Sequence, residues 1–284
     1  MADLISVIVT TYNREDALDA VLRSLSHQND TDFEVIVADD GSGPATTAMI
    51  ESWKPRLGRS LGHVWHKDDG FRAAKIRNLA ILASRGGYCV FLDGDCIPRP
   101  DFIATHRRLA QTGYFVTGNR VLLSPALTDQ VLREKLKPEE WNFAGWLGKR
   151  LSGGINRLSA VLRLPLGPLR YLRSKAWRGA RSCNLAIWRS DLDRVDGFDA
   201  GFSGWGKEDS DIIVRLLHAG VRRKDGVFAT AVVHLWHREA DRSRLQENER
   251  KLDGVVRGDA VRAQRGLSAL RAEAKSASAV ATSR

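Results

Sequence analysis

Two aspartates separated by one glycine follow an apolar run in the stretch VFLDGDCIP. A tight turn at Gly94 would direct the carboxylates of Asp93 and Asp95 toward one hard cation. Mg²⁺ and Mn²⁺ prefer oxygen ligands and share them readily with the phosphates of a substrate. A solvated Asp-Gly turn has the same spacing and is common. The place of this pair at the end of an apolar run favours a metal site.

A second group of acids follows a tryptophan in GWGKEDSDIIVRLL. Glu208, Asp209 and Asp211 would suit the first turn of a helix, where carboxylates interact favourably with the helix dipole. They would equally suit acid–base chemistry. The two glycines that flank Trp205 favour an accessible loop over tight packing, although an ordinary core tryptophan is the competing interpretation.

The elements that must position these acids alternate between strands and helices. LISVIVT and FEVIVAD are buried-strand patterns, and the helical segment between them places Leu18, Val21, Leu22 and Leu25 on one face. The alternation continues to YFVTGNRVLL and predicts an α/β fold with a mainly parallel central sheet covered by helices. The polar clusters TTYNR, ADDGS and DGD follow three strands, so we expect a ligand at their carboxyl ends.

Composition narrows the class of protein. The 284 residues are 43% hydrophobic, which is ample for a core, and their net charge of +10 indicates an anionic partner. Neither the dinucleotide-binding pattern G-x-G-x-x-G nor a phosphate-binding glycine loop is present. The three cysteines lack disulfide or zinc spacing, and no secretory signal or membrane span is found. We therefore expect a cytoplasmic protein.

The order and spacing of several motifs resemble the metal-dependent glycosyltransferases of family two, which have the GT-A nucleotide-sugar fold. The resemblance extends from about Ile5 to His237, through VIVTTYNRED, VIVADDGSG, DDGFRAAKIRNLAI, FLDGDCIPRPDF, CNLAIWR and GWGKEDSD. The later part also resembles a carboxyl-terminal segment shared by β-1,4-galactosyltransferases and chondroitin polymerases.

This resemblance implies residues that bind the nucleotide sugar. Asp39 would hydrogen-bond the uracil N–H, with Asp40 either sharing that role or serving the turn, and Asp93 would meet the ribose or the metal. Arg77 would place positive charge near the diphosphate, although a helix-surface cation is the alternative. The remaining implied contacts with the nucleotide are Thr10, Tyr12, Arg14 and Asn78.

The resemblance also implies the metal ligands and the catalytic group. Asp95 would bind Mn²⁺ or Mg²⁺ directly, and His234 matches the family's histidine ligand better than His237, which would bind the metal, touch the phosphates or order the following segment. Asp209 would be the base for an inverting displacement. The acceptor would meet Trp205, Gly206 and Glu208, with Glu208 also orienting the base.

Three regions are predicted along the chain. Residues 1–240 form the GT-A domain, and 241–284 form a helical extension with a disordered end. Within the first region, residues 142–182 carry nine basic residues and no acid. Leu151, Ile155, Leu158 and Leu162 would share a helical face there, as in an element lying on an anionic membrane surface, here the inner face of the cytoplasmic membrane. A helical hairpin packed on the domain is the alternative.

The predicted function is transfer of a hexose or N-acetylhexosamine from a UDP donor to a hydroxyl of a lipid-linked glycan, in lipopolysaccharide or other envelope polysaccharide synthesis. A sugar nucleotidyltransferase is an alternative, but its glycine-rich, basic N-terminal signature is missing. A nucleic-acid-binding module would explain the charge and leave the carboxylate clusters unexplained. We therefore expect no nucleic-acid partner.

Overall fold

The computed structural model describes residues 3–239 and 241–282, with side chains as far as residue 276. The strands are β1 (Ile5–Thr11), β2 (Phe33–Asp39), β3 (Leu61–Trp65), β4 (Tyr88–Asp93), β5 (Cys96–Pro98), β6 (Tyr114–Thr117), β7 (Arg120–Leu122), β8 (Asn184–Trp188), β9 (Arg222–Asp225) and β10 (Val232–His234). The α-helices are α1 (Glu15–Ser26), α2 (Pro44–Trp53), α3 (Ala73–Ala83), α4 (Phe102–Leu109), α5 (Pro125–Arg133), α6 (Phe143–Leu151), α7 (Arg189–Val195), α8 (Glu208–His218), α9 (Leu245–Arg257) and α10 (Leu267–Thr282).

Seven strands form the central sheet in the order β3-β2-β1-β4-β8-β6-β9. All neighbouring pairs are parallel except those that β8 makes with β4 and β6. Side chains of β1 alternate between two apolar layers, with Val7 and Val9 in one and Ile8 in the other. Helices therefore cover both faces of a mainly parallel sheet, as the sequence predicts.

The carboxyl ends of three parallel strands meet at one edge. Thr11 pairs with Asp39 on one side of β1, and Thr10 pairs with Asp93 on the other. A Cβ atom at Gly94 would lie 3.0 Å from the carbonyl oxygen of Thr10, so a glycine lets the turn after β4 approach β1 closely. The three polar clusters therefore lie together, as expected from the sequence.

A small second sheet lies near this edge and contains His234. Its order is β5-β10-β7, and β10 pairs antiparallel with β5 so that His234 lies opposite Cys96. The N–H of Leu235 also donates to the carbonyl oxygen of Asp95 at 2.9 Å. The segment YFVTGNRVLL forms two strands in different sheets, separated by Gly118 and Asn119.

Helix α8 begins at Glu208, so the acids of GWGKEDSD do lie in a first helical turn. Asp211 is buried and pairs with Arg215 one turn later at 2.6 Å. Arg215 also donates to the carbonyl oxygens of Val195 and Gly197. Asp211 therefore pairs with an arginine that stabilises the fold, whereas Glu208 and Asp209 do not contact that arginine.

The predicted helical face from Leu151 to Leu162 is wrong. Helix α6 ends at Leu151, and Gly153 adopts a φ of 73°, which no right-handed helix contains. Ile155 is buried and bridges to Leu123. Within α6, exposed apolar residues are instead spaced four apart, at Phe143, Leu147 and Leu151, with exposed fractions of 54%, 38% and 80%. Further exposed leucines of this region lie outside α6, at Leu162, Leu164, Leu169 and Leu172.

The C-terminal extension is helical, as predicted, and consists of α9 and α10. Helix α10 continues to Thr282 through the segment expected to be disordered, and residues 283–284 lie outside the described residues. Over the described ranges, the helices all fall short of the length and apolar character that crossing a bilayer requires.

Candidate active site

Asp95 lies between two histidines. Its Oδ1 is 3.6 Å from Nε2 of His234, and its Oδ2 is 3.5 Å from Nε2 of His237. The other ring nitrogen of His237 lies 2.8 Å from the carbonyl oxygen of Arg238, which fixes the ring with Nε2 toward Asp95. Burial, only partly offset by Asp95, lowers the pKa of His234 to about 4. Its imidazole is therefore neutral near pH 7 and free to bind a cation.

The donor atoms around Asp95 fit a divalent transition metal. A carboxylate with two imidazole nitrogens suits Mn²⁺ better than Mg²⁺, which prefers oxygen ligands throughout. The thiol of Cys96 lies 3.6 Å from Oδ1 of Asp95, within the same cluster. Of the residues predicted to hold the metal, Asp95, His234 and His237 are thus brought together, whereas Asp93 clusters with Cys96 and Cys183. Their role as metal ligands stays a prediction.

Arg77 connects the strand-end acids to those of α8. Its guanidinium nitrogens lie 3.3 Å from Oδ1 of Asp93, 3.2 Å from Oε1 of Glu208 and 3.7 Å from Oδ1 of Asp209. Its Nε donates to Oγ1 of Thr10 at 3.2 Å. Burial alone would lower the pKa of Arg77, but the three carboxylates raise it. In this arrangement its charge offsets only part of the negative charge of these three acids.

Two acids beside Arg77 bind protons more tightly than usual. Burial, followed by repulsion from Asp209, raises the pKa of Glu208 to about 7, although Arg77 opposes the shift. Loss of solvation and repulsion from Asp95 and Asp209 raise the pKa of Asp93 to about 6 against the same arginine. Among the described residues, Oε2 of Glu208 and Oδ1 of Asp209 are buried without a hydrogen-bond donor. Both oxygens therefore keep an unused hydrogen-bond acceptor next to Arg77.

The segment before α8 forms a loop, residues 203–207, which we call the acceptor loop after the role predicted for Trp205 and Gly206. Gly204, Gly206 and Lys207 adopt positive φ angles of 73°, 101° and 80°. The two glycines adopt this conformation without the strain that a side chain adds. Trp205 is half-buried, and the guanidinium of Arg242 lies 4.7 Å from the centre of its ring.

Asp93, His234 and His237 border one cavity of about 600 Å³ together with Glu208 and Asp209 of α8, whereas Asp95 is not among its lining residues. Its walls combine acids, histidines and the acceptor loop. The sequence-predicted residues among them are Arg77, Asp93, Trp205, Gly206, Glu208, Asp209, His234 and His237.

Two of the predicted nucleotide contacts lie on the first loop, away from this cavity wall. The hydroxyl of Tyr12, a residue about half exposed, donates to Asp68 at 2.9 Å. Arg14 pairs with Asp16 at 3.0 Å. Their contact with a nucleotide stays a prediction, whereas Thr10 reaches the acids through Arg77.

Asp39 and Asp40 are buried and bonded to protein groups. Asp39 accepts from the N–H of Ser42 at 2.8 Å and lies 3.1 Å from Nε2 of His63. Burial alone would raise the pKa of Asp39, but His63 and Ser42 lower it overall. Asp40 lies 2.9 Å from Nε2 of His66, and burial raises its pKa. The contact of Asp39 with uracil stays a prediction.

Asn78 bonds to backbone. Its Nδ2 donates to the carbonyl oxygen of Phe198 at 2.7 Å, and its Oδ1 accepts from the N–H of Phe198 at 2.8 Å. The side chain is fully buried, and it connects α3 to the segment before the acceptor loop. Its predicted contact with the nucleotide is also untested.

Sequence reasoning missed several cations on the cavity wall. Arg120 lines the cavity and lies 3.5 Å from the thiol of Cys183, and Arg181 and Arg242 also line it. Arg181 belongs to the basic region, residues 142–182, but its spacing in the sequence did not indicate that it lines this cavity. Three further guanidinium groups around this cavity suit an anionic ligand.

A mainly parallel α/β sheet with an Asp-x-Asp turn at a strand end and a second carboxylate pair beside one cavity is the arrangement expected from the resemblance to glycosyltransferases of the GT-A fold. Residues 6–158 match the family model for glycosyl transferase family 2, and residues 171–238 match the model described as the N-terminal domain of galactosyltransferase. The chain belongs to glycosyl transferase family 2.

Curated relatives agree with this membership. The chain is 30% identical over 257 residues to validoxylamine A glucosyltransferase from Streptomyces hygroscopicus subsp. limoneus, covering 86% of this chain and 53% of the relative. It is 27% identical over 239 residues to chondroitin synthase from Escherichia coli, covering 77% of this chain and 33% of the relative. The chain thus spans about half the length, or less, of these relatives.

A solved structure confirms the predicted GT-A fold. A mannosyltransferase from Pyrobaculum calidifontis, in complex with GDP-Man and Mn²⁺, superposes with a TM-score of 0.55 at 17% identity, covering 99% of this chain and 79% of that one. At this identity the likeness concerns the fold alone.

Proposed function

We propose that this protein is an inverting, metal-dependent glycosyltransferase that moves a sugar from a UDP donor to a hydroxyl of a glycan acceptor. The observation that carries the proposal is the shared cavity. His234 and His237, which flank Asp95, line the same cavity as Asp209, and Arg77 joins Asp93 to the acids of α8. A donor held at one end would therefore face a base at the other.

Asp95, His234 and His237 would hold a divalent cation, with Asp93 beside them. When bound, such a cation acts as a Lewis acid on a diphosphate and stabilises it as a leaving group. Arg120 and Arg181 line the same cavity, where their charges would add to the attraction for a diphosphate. The mixed oxygen and nitrogen donors favour Mn²⁺ over Mg²⁺.

Asp209 is the proposed base. A sugar hydroxyl is nearly as weak an acid as water, whose pKa is about 15.7, so it needs a proton acceptor as it attacks. Oδ1 of Asp209 is buried without a donor among the described residues and would accept that proton. Glu208, with its raised pKa, is partly protonated near pH 7 and would donate a hydrogen bond that orients the acceptor. One displacement inverts the anomeric carbon.

The match of residues 171–238 to a galactosyltransferase model supports a UDP-hexose or UDP-N-acetylhexosamine donor. For the acceptor we propose a lipid-linked glycan of lipopolysaccharide or another envelope polysaccharide, reached from the inner face of the cytoplasmic membrane. The exposed apolar side chains of α6, beside Lys149 and Arg150, support contact with an anionic membrane surface.

The test is hydrolysis and transfer with a panel of UDP-, GDP- and dTDP-sugars in Mn²⁺. We expect turnover of a UDP-sugar that chelation abolishes. Asp209→Asn should reduce transfer at least 100-fold and leave Mn²⁺–UDP binding within twofold, because it removes the base and keeps the shape. Asp95→Ala should weaken both transfer and Mn²⁺–UDP binding. Full turnover under rigorous chelation, or full activity of the Asp209→Asn variant, would contradict the proposal.

A further inference from the structure

Helix α9 lies against the acceptor loop. A Cβ atom at Gly204 would be 2.9 Å from the Cβ of Arg244, and one at Gly206 would be 3.3 Å from a methyl carbon of Leu245. Nζ of Lys207 lies 3.1 Å from Oε1 of Glu249. The loop therefore follows the surface of this helix at three successive points.

Asn248 bonds the loop on both sides of its tryptophan. Its Nδ2 donates to the carbonyl oxygen of Ser203 at 3.1 Å and to that of Gly206 at 2.9 Å. The residue is fully buried, with an exposed fraction of 0%. Because one amide group uses both of its N–H bonds on carbonyls that bracket Trp205, it fixes the span between them.

The helix is itself anchored by apolar contacts. Leu252 packs with Phe202 and Val214, which lie just before the loop and on α8. Nζ of Lys251 also donates to the carbonyl oxygen of Gly201 at 2.8 Å. Asn248 is thus held on a supported helix, which is what a positioning residue requires.

We propose that Asn248 is a positioning residue that sets the height and tilt of Trp205 in the acceptor site, an inference that rests on the proposed transferase function. Both family matches end at or before residue 238, so α9 lies outside them. The geometry of the acceptor site is therefore supplied partly by this chain's own extension. Asn248 acts through backbone carbonyls and touches no reacting atom.

The test compares Asn248→Ala and the isosteric Asn248→Asp, which loses the donor group, with Asp253→Ala at an exposed position of the same helix. Hydrogen–deuterium exchange is measured for the amides of residues 203–207 in the full-length protein. We expect both Asn248 variants to speed exchange in the loop at least tenfold, with α8 unchanged and the Asp253→Ala control at the wild-type rate. If one variant does not fold, the other carries the comparison.

Kinetics separate positioning from general damage. With Mn²⁺, UDP-glucose or UDP-N-acetylglucosamine, and nitrophenyl glycosides as acceptors, the acceptor KM should rise about tenfold while the Kd for Mn²⁺–UDP stays within twofold. Unchanged loop exchange, exchange raised equally throughout α8, or equal loss of acceptor and nucleotide binding would overturn the proposal. If the wild-type protein turns over no nucleotide sugar, the proposed function fails, and the role of Asn248 is then decided by loop exchange alone.

Discussion

Asp93, Glu208 and Asp209 crowd three carboxylates around one guanidinium, that of Arg77. One positive charge cannot balance three negative ones, so the acids with raised pKa values take up protons near neutral pH. A cation held by Asp95 would add positive charge beside Asp93 and relieve this repulsion. This group of acids is therefore sensitive to pH.

Replacing Glu208 by Gln should make the protein's stability less dependent on pH. The pKa of Glu208 is raised from 4.5 to about 7 in the folded state, so the folded protein binds this proton more tightly than the unfolded chain does. The stability that this proton adds to the folded state is complete below pH 4.5 and disappears as the pH rises through 7. Relative to Glu208→Gln, the wild type should lose at most about 1.4 kcal/mol per pH unit over this range.

Urea unfolding in a chelator at pH 5, 6, 7 and 8 measures this difference. Asp253→Ala, on the surface of α9, provides the control, because it changes an exposed charge and should keep the wild-type slope. Parallel pH profiles for Glu208→Gln and the wild type would show that Glu208 carries no shifted proton.

The two histidines beside Asp95 should contribute separately to metal affinity. Their Nε2 atoms lie at similar distances from different oxygens of the same carboxylate. We expect His234→Ala and His237→Ala each to weaken Mn²⁺ binding at least tenfold in the presence of UDP, as followed by isothermal titration. His218→Ala, at the far end of α8, should bind like the wild type. Wild-type affinity in both site variants would remove the histidines from the metal site.

The sequence predicted which strand-end acids and histidines lie together, because the carboxyl ends of parallel strands gather at one sheet edge, whereas the roles of these side chains stay predictions. Asp93 and Thr10 are paired through the register of β1 and β4, and β-strand pairing brings His234 beside Asp95. It was a poor guide to Asn248 and Arg120, since their partners are backbone carbonyls and a cysteine thiol far along the chain. Such contacts leave no periodic signal.

At the level of elements, apolar alternation predicted the first β-α-β unit and the parallel strands. The apolar pattern wrongly predicted a continuing helix after α6, where apolar residues are spaced three and four apart. The helix ends just before Gly153 and Gly154, and the side chain of Ile155 is buried in the core. The antiparallel β8 was also missed, because a buried strand has the same pattern in either direction.

The exposed face of α6 should bind anionic vesicles. Leu147→Glu and Leu151→Glu would each place a charge among the apolar side chains and repel the lipid headgroups. We expect co-sedimentation with vesicles containing phosphatidylglycerol to fall at least tenfold. Val256→Glu, an exposed apolar position on α9, adds the same charge elsewhere and should bind like the wild type. Equal binding by all four proteins would exclude α6 as the contact.

For the whole molecule, metal and nucleotide should stabilise the fold together. Ligands that bind only the folded state at 100 times their Kd add about 2.7 kcal/mol to the free energy of unfolding. Mn²⁺ with UDP should therefore raise the midpoint of thermal unfolding, and a chelator should reverse the rise. Asp95→Ala should show no such rise. The same rise in that variant would place the metal elsewhere.

The position of β8 in the sheet also bears on biosynthesis. This strand, residues 184–188, lies between β4 and β6, so the two are not neighbours. While a ribosome is still making the chain, β4 presents an open edge and β6 lacks its inner neighbour until more than 60 further residues have emerged. The nascent protein thus passes through a stage with unpaired strands, during which a chaperone would protect it from aggregation.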